Sequence, residues 1–416
     1  MSYIPRIVDA ELSERLRGQG GVVIEGAQAC GKTVTAQHHA ASEVRLDVDA
    51  GARQAAALEP ALILDGKTPR LIDEWQLVPA VWNHVRRAID DRQQTGQFIL
   101  TGSAAPADDI TRHSGAGRFG RLRMRPLSLF EKGRSSGRMP LSGLLQGEST
   151  GSPEAKFTIP EIAEEIALGG WPGFLEMDRS QALRSVSDYL EEIRRTDVAA
   201  VSGVRRDPSR VGRLLRSIGR NVATQVSTAT LARDAGGIDD PLKDDTAHAY
   251  LDALRRLMIV EEQPAWGPHL RTTYALRKAP KLHFVDPSLA VAALDASPEK
   301  LLKDLNLLGL LFESLVVRDL RIYAQASQAR VLQYRDSGGL EVDAIVDGPD
   351  DRWAAFEVKL GFGQVDEAAA NLRKFAMRVD TDKCGAPGAL GVIVASGYGY
   401  RREDGIYVIP IGALGP

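Results

Sequence analysis

Over roughly the first 130 positions, short apolar runs alternate with segments whose apolar residues recur at helical spacing. The runs are GVVIEG (21–26), EVRLDVD (43–49), RLIDE (70–74) and QFILTGS (97–103). Strands separated by helical segments predict βαβ units and a parallel sheet. The pattern then fades. Lys132 to Pro153, KGRSSGRMPLSGLLQGESTGSP, is rich in Gly, Ser and Pro and reads as a loop or flexible insertion.

Helical periodicity returns over 158–200, broken by GGWPGFL (169–175). From about 209 to 290 the pattern predicts a helix, a short helix, a helix and two short strands. Ala247, Tyr250, Leu251, Leu254, Leu257 and Met258 mark the third helix, and MIVEEQPAW and KLHFVD are the strands. That order outlines a winged helix-turn-helix. A long helix, LLGLLFESLVVRDLRIYA, then precedes ARVLQYRD, LEVDAIVD, WAAFEVKL, a helix around Ala368–Phe375 and ALGVIVAS. This last block is an independent α/β unit.

GAQACGKT (Gly26–Thr33) changes the picture from fold to chemistry. It fits G-x-x-x-x-G-K-[ST] and lies between a predicted strand and a predicted helix, the context that signature needs. Glycines let the backbone N–H groups turn inward around phosphates. The nucleotide-binding set is therefore Gly26, Ala27, Gln28, Ala29, Cys30, Gly31, Lys32, Thr33 and Val34. Lys32 reaches the β- and γ-phosphates, and the Thr33 hydroxyl ligates Mg²⁺. Forty residues on, Asp73 ends an apolar run as the second magnesium group, and Glu74 is placed as general base on water. The alternative for this pair is an acidic helix cap. In QFILTGS, Thr101 or Ser103 is a γ-phosphate sensor or an ordinary strand-end cap.

GAGRFGRLRMRPLSLFE (115–131) carries Arg118 and Arg121 as candidate arginine fingers on a neighbouring subunit's nucleotide, which implies a homo-oligomer. A solvated basic turn is the equal alternative. Arg123 and Arg125 alternate with Leu122 and Met124, as on the exposed face of a strand.

Composition narrows the classes. A chain of 416 residues with 44% hydrophobic and 26% charged positions is ordinarily globular, with two or three domains expected. A formal charge of −3 gives no global basic field. Two cysteines, Cys30 and Cys384, exclude a disulfide scaffold or zinc finger. MSYIPRIVDAELSERL has no apolar signal core and no run approaches ~18 apolar residues, so a cytoplasmic protein without membrane contact is expected.

These motifs resemble those of AAA-type P-loop ATPases that carry a C-terminal DUF4143 domain. The carriers are GAQACGKT, RLIDEWQLVPAVW, FILTGSA, GAGRFGRLRMRPLSLFE, LGGWPGF, KLHFVDPSLA, LLFESLVVRDL, LEVDAIVD and FEVKLG. The resemblance implies ATP binding and hydrolysis, and a C-terminal region similar to restriction-endonuclease-like folds. Relatives usually have Arg and Gln where this chain has Gln28 and Ala29, so any contact made by that Arg is missing.

Two further clusters bear on substrate. Arg205, Arg206, Arg210, Arg213, Arg216 and Arg220 crowd one helical stretch, with only Asp207 opposing. Beside a winged-helix outline this suggests contact with a DNA backbone. A hinge packed on the ATPase is the alternative, since the recognition-helix segment DDTAHAYLDALRRL opens with acids. Near the C-terminus, AFEVKLG places Glu357 and Lys359 on one face of a strand. With Glu313 on the preceding helix and Asp343 on the preceding hairpin, the order is that of a PD-(D/E)XK nuclease core. There Asp343 and Glu357 would hold Mg²⁺ or Mn²⁺ and Lys359 would orient water and offset charge. Each member also has an ion-pairing explanation.

The expected organisation is an α/β protein. A P-loop ATPase core spans 1–131, a flexible linker 132–157, a helical lid-like segment 158–204, a winged-helix-like unit 205–290 and a nuclease-like domain 296–416. The expected function is Mg²⁺-dependent ATP hydrolysis coupled to the nuclease-like domain, with DNA as one partner. The alternative is an ATPase switch whose C-terminal domain is a non-catalytic nucleic-acid or protein binding module. A third class is a nucleotide-gated scaffold with slow turnover.

Overall fold

The computed structural model describes residues 3–102, 114–148, 151, 153–198, 207–236, 242–268 and 279–416. Ser103, Arg205 and Arg206 lie outside them. The N-terminal unit is built on five parallel strands, β1 (Gly21–Gly26), β2 (Ser42–Arg45), β3 (Arg70–Asp73), β4 (Phe98–Gly102) and β5 (Phe119–Met124), in the order β2-β3-β4-β1-β5. Period-2 alternation feeds both faces of β1. Val22 and Ile24 join a core with helix α1 (Val8–Gly18), and Val23 joins one with the helix Val81–Arg92. A strand buried on both faces reads as a continuous apolar run, as GVVIEG does. Because β4 is inserted between β1 and β3, the C-terminal ends of all three open onto one edge, where Thr101 and Asp73 are register partners. Open α/β sheets bind ligands there.

The middle region is helical. Thr158 and Asp178 start helices Ile159–Leu168 and Arg179–Glu192 with reciprocal capping boxes to Glu161 and Gln181. Helices Pro208–Arg220, Thr228–Ala235 and Asp244–Arg256 follow, then the antiparallel pair Val260–Gln263 and Lys281–Phe284.

The C-terminal unit is a six-stranded mixed sheet. Its order is Arg330–Arg335, Glu341–Asp347, Trp353–Lys359, Ala389–Val394, Tyr407–Pro410 and Tyr400–Arg401. Helix Val365–Ala376 makes the crossover between the parallel strands Trp353–Lys359 and Ala389–Val394. The long helix Leu305–Ala326 is buried from Leu311 to Ala324 and joins all parts of the chain.

The Gly/Ser/Pro-rich stretch departs from the expectation of a flexible linker. Met139–Pro140 pairs with Leu414–Gly415, Glu154–Ala155 pairs with Gly397–Tyr398, and Ser136 N–H donates to the Gly412 carbonyl at 2.8 Å. Met139, Leu141, Leu144 and Leu145 enter the main core. Local composition favours a loop, but partners more than 240 residues away fix this one.

The quoted motifs meet in a single buried joint. The Asp319 carboxylate accepts from Leu129 N–H at 3.0 Å, from the Tyr323 hydroxyl at 3.2 Å and from Arg318 at 2.7 Å. Arg318 reaches Asp286 at 2.8 Å, and Asp286 accepts from Gly170 N–H at 3.0 Å. Thus PLSLFE, LGGWPGF, FVDPS and VVRDL each supply one part of one network.

Candidate functional site

The phosphate loop is shaped by close approach and by left-handed backbone. A Cβ on Gly26 would lie 2.3 Å from the Met124 carbonyl oxygen, and Gly31 has φ +103°. Ala29 takes φ +60° at the loop tip. Helix α2 (Lys32–His39) begins immediately after Gly31, so its N-terminal amides face the loop. Lys32 is buried, and its ammonium donates to the Gly26 and Ala27 carbonyls at 2.9 Å each. Ala27 and Cys30 are buried under the loop, whereas Gln28 and Val34 face outward.

Thr33 Oγ1 donates to Asp73 Oδ1 at 2.9 Å, and Thr101 Oγ1 donates to the same oxygen. Three expected residues are therefore adjacent. Glu74 follows at φ +54°, accepts from the Gln76 amide, and lines the same cavity as Lys32, Thr33 and Val34. Burial pushes its carboxyl above the ordinary range against the pull of Gln76 and Lys32. The cavity measures about 450 Å³, within the span of ligand pockets. A buried carboxylate and a hydroxyl in contact form a hard-oxygen pair that fits Mg²⁺, an ion usually held by one or two carboxylates together with substrate phosphates.

Sequence spacing did not reveal what surrounds this cavity. Arg6 donates to the Cys30 carbonyl at 3.0 Å, the Arg125 carbonyl at 2.7 Å and Glu131 at 2.9 Å, clamping the loop to PLSLFE. Tyr3, Ile4, Leu127, Pro172 and Gly173 complete the walls, and the Tyr189 hydroxyl reaches the Gln28 carbonyl at 3.1 Å. The middle region thus contributes to the nucleotide cavity. The GGWPGFL break was the one available signal.

Arg118 lies away from it. It holds Asp90 on the helix Val81–Arg92 at 2.9 Å, within its own chain. Arg121 pairs with Glu25. Arg123 and Arg125 are not the open face of a strand. Both bind Glu261, at 2.8 and 3.0 Å, and Arg321 joins them at 2.9 Å. Burial pushes the Glu261 carboxyl up, but Arg125, Arg123 and Arg321 together hold it well below the carboxylate range. In the basic helix, Arg213 donates to the Ala235 carbonyl at 2.9 Å, Arg216 pairs with Asp295, and Arg220 meets Asp234 at 2.8 Å.

At the C-terminal unit, the four expected residues converge and two others join them. Lys359 Nζ lies 2.7 Å from Glu357 and 3.3 Å from Asp343, and Asp343 also accepts from Val358 N–H at 2.9 Å. Asn371 donates to Glu357 at 2.6 Å. Lys281, from the middle region's hairpin, places its ammonium 2.6 Å from Glu313 and 3.5 Å from Asp343. Burial pushes Glu313 up to about 8 despite Lys281, and burial with the nearby Asp343 pushes Glu357 up to about 7. Burial opposes charge on Lys281, yet Glu313 and Asp343 hold it above the lysine range. Among the described residues, no group of three or more His, Cys, Asp or Glu side chains is arranged to hold a metal ion. The residues here therefore do not fit a divalent cation. KLHFVD was legible as a strand, but nothing in it shows where its first residue points.

Three family models match successive parts of the chain. Residues 19–132 match an AAA domain, 159–300 a domain of unknown function (DUF8612) and 308–414 a domain of unknown function (DUF4143). Uncharacterised proteins of Mycobacterium tuberculosis and Mycobacterium bovis are each 23% identical over 320 residues, covering 75% of this chain. The aligned part spans only 64% of the length of these relatives. A Walker-type ATPase of Pyrococcus abyssi aligns at 14% identity and TM-score 0.45, over 70% of this chain and 96% of that one. Among the described residues no helix is long and apolar enough to cross a membrane.

Proposed function

We propose that this chain, which joins an AAA-type ATPase domain to a DUF4143 domain, is a Mg²⁺-dependent ATP hydrolase whose C-terminal domain does not cut nucleic acid. The observation that carries the first half is the shared contact of Thr33 and Thr101 with Asp73 beside the Lys32 loop. Lys32 leaves the Gly26 and Ala27 carbonyls for the β- and γ-phosphate oxygens. The loop amides and the α2 N-terminus hold the phosphate chain. Thr33 and Asp73 would hold the metal, which when bound offsets charge on those oxygens. Glu74, at the cavity wall, takes the proton of the attacking water, and its raised pKa makes it a better base near neutrality. Thr101 is in contact with Asp73 rather than free, which suits a sensor that reports through that acid. The Lys32→Ala variant should bind ATP weakly and release no phosphate. Wild-type turnover in that variant would remove the reading.

The second half rests on the C-terminal cluster, whose cation position is taken by Lys281. This favours a binding module for nucleic acid or protein over a nuclease. Plasmid or oligonucleotide incubated with Mn²⁺ should give equal background in the wild type and in a Glu357→Ala/Lys359→Ala variant. Cleavage confined to the wild type would restore the nuclease reading.

A further inference from the structure

We infer that Gln76 is a positioning residue for ATP hydrolysis: its side-chain amide aims the Glu74 carboxylate, and Gly102 carries no side chain because Gln76 fills that space. The inference rests on the reading of Glu74 as the base on water and extends it to the residues that hold the base.

Glu74 stands on no regular element. It follows the last residue of β3 at φ +54° and precedes a single 3₁₀ turn, Trp75–Leu77, closed by Leu77 N–H on the Glu74 carbonyl at 3.0 Å. Trp75 anchors that turn. Its ring is buried against Trp82, with centroids 5.2 Å apart, in the core that Ile72 of β3 and Leu100 of β4 also enter. With Trp75 fixed inward, Gln76 is held between Glu74 and the end of β4. Its Nε2 donates to Glu74 Oε2. Glu74 lines the nucleotide cavity and Gln76 does not, so Gln76 acts on the base and not on the nucleotide.

The other end of the amide carries the argument further. An ionised carboxylate only accepts, so the Gln76 NH₂ must face Glu74 and the carbonyl oxygen must face away. That oxygen is buried and accepts no hydrogen bond among the described residues. A buried acceptor without a donor is destabilising, so its retention calls for a role beyond packing. It abuts Gly102: a Cβ there would overlap Oε1 and lie 3.1 Å from Cδ. Gly102 directly follows Thr101, whose hydroxyl donates to Asp73. The end of β4 therefore touches both acids of the site, Asp73 through Thr101 and Glu74 through Gln76. The glycine in FILTGS is the space that lets the second contact form.

The test is steady-state ATP hydrolysis by the full chain, with kcat and KM for the wild type, Gln76→Met, Gly102→Ala, Glu74→Gln and the double variants Glu74→Gln/Gln76→Met and Glu74→Gln/Gly102→Ala. Gln76→Met keeps the length of the side chain and removes the donor, so kcat should fall by roughly 10- to 10²-fold, the scale of a misplaced catalytic group, with KM unchanged. Gly102→Ala displaces the free end of a flexible side chain and should lower kcat in the same way by a smaller factor. Neither change should lower the residual rate of Glu74→Gln, because residues that act through one group are not additive. A merely structural role predicts the same fold loss with and without Glu74. That result overturns the inference, as does an unchanged kcat in Gln76→Met or a loss confined to KM. If Gln76→Met does not fold, Gly102→Ala and its double variant decide by the same criteria. Turnover that depends on Lys32 but ignores Gln76 overturns this inference alone. A wild type without Lys32-dependent phosphate release overturns the ATPase reading and this inference with it.

Discussion

The Tyr189 hydroxyl donates to the Gln28 backbone carbonyl at 3.1 Å, so a helix of the middle region holds the tip of the phosphate loop. That carbonyl belongs to a loop that must receive phosphates. Removing the hydroxyl with Tyr189→Phe should loosen the loop and weaken ATP binding by roughly 2- to 10-fold, the equivalent of one net hydrogen bond. Fluorescent-nucleotide titration measures this. Unchanged affinity would mean that the helix and loop are not coupled.

Glu74→Gln keeps the shape of the cavity wall but not the base. Phosphate release should fall by roughly 10²- to 10⁴-fold with nucleotide affinity retained. The wild-type rate should decline as the pH falls through the pKa of Glu74, which burial places above the ordinary carboxyl value. A pH–rate profile that shows no decline above the ordinary glutamate value of 4.5 would exclude Glu74 as the base.

Glu313 and Glu357 hold protons in the folded chain up to about pH 8 and 7, whereas unfolded glutamates release theirs near 4.5. Between those values the native state binds more protons than the unfolded one, so stability should fall as pH rises from about 4.5 toward 8. Glu313→Gln removes one of the two titrations and should flatten the decline. Melting midpoints at pH 5.5, 7 and 8.5 test this, and an equal slope in the variant would count against it.

Two arginine–aspartate pairs should behave oppositely. Asp319 is fully buried and bound by Leu129, Arg318 and Tyr323, so Asp319→Ala leaves Arg318 buried with less compensation and should cost about 3–5 kcal/mol. Arg118 makes a solvent-exposed pair with Asp90, and Arg118→Ala should leave the melting midpoint unchanged. If Arg118 serves as a finger in an oligomer, the same variant should lose ~10³-fold or more in turnover, and wild-type activity should rise with protein concentration. Unchanged turnover in Arg118→Ala would end that role.

The nucleotide site was legible in sequence because its chemistry is local. Eight consecutive residues encode the loop, and Asp73, Glu74 and Thr101 each close a short apolar run. The C-terminal acids were legible for a related reason: their order along helix and strands survives in the chain even though their distances do not. Lys281 was invisible, since a lysine opening a strand looks solvated until the hairpin docks. Arg6 and Asn371 were missed likewise, because each acts on partners that no helical or strand spacing relates to it. The stretch after Lys132 misled for the opposite reason: its Gly, Ser and Pro describe weak local preference, and tertiary pairing overrode it.

The pairing of Met139–Pro140 with Leu414–Gly415 makes the three sequence segments unequal to three excisable pieces. A fragment begun near residue 308 would lose the strand that covers Leu414, the serine that caps its carbonyl at 2.5 Å and the lysine that donates to Glu313 at 2.6 Å. It would present bare strand edges, a route to aggregation, and a buried acid without its hydrogen-bond partner. Shortening from the other end, at residue 132, would leave Leu129 N–H without Asp319. The unit that folds is therefore longer than any one of its domains, and deletion series in this chain would report on solubility before they report on function.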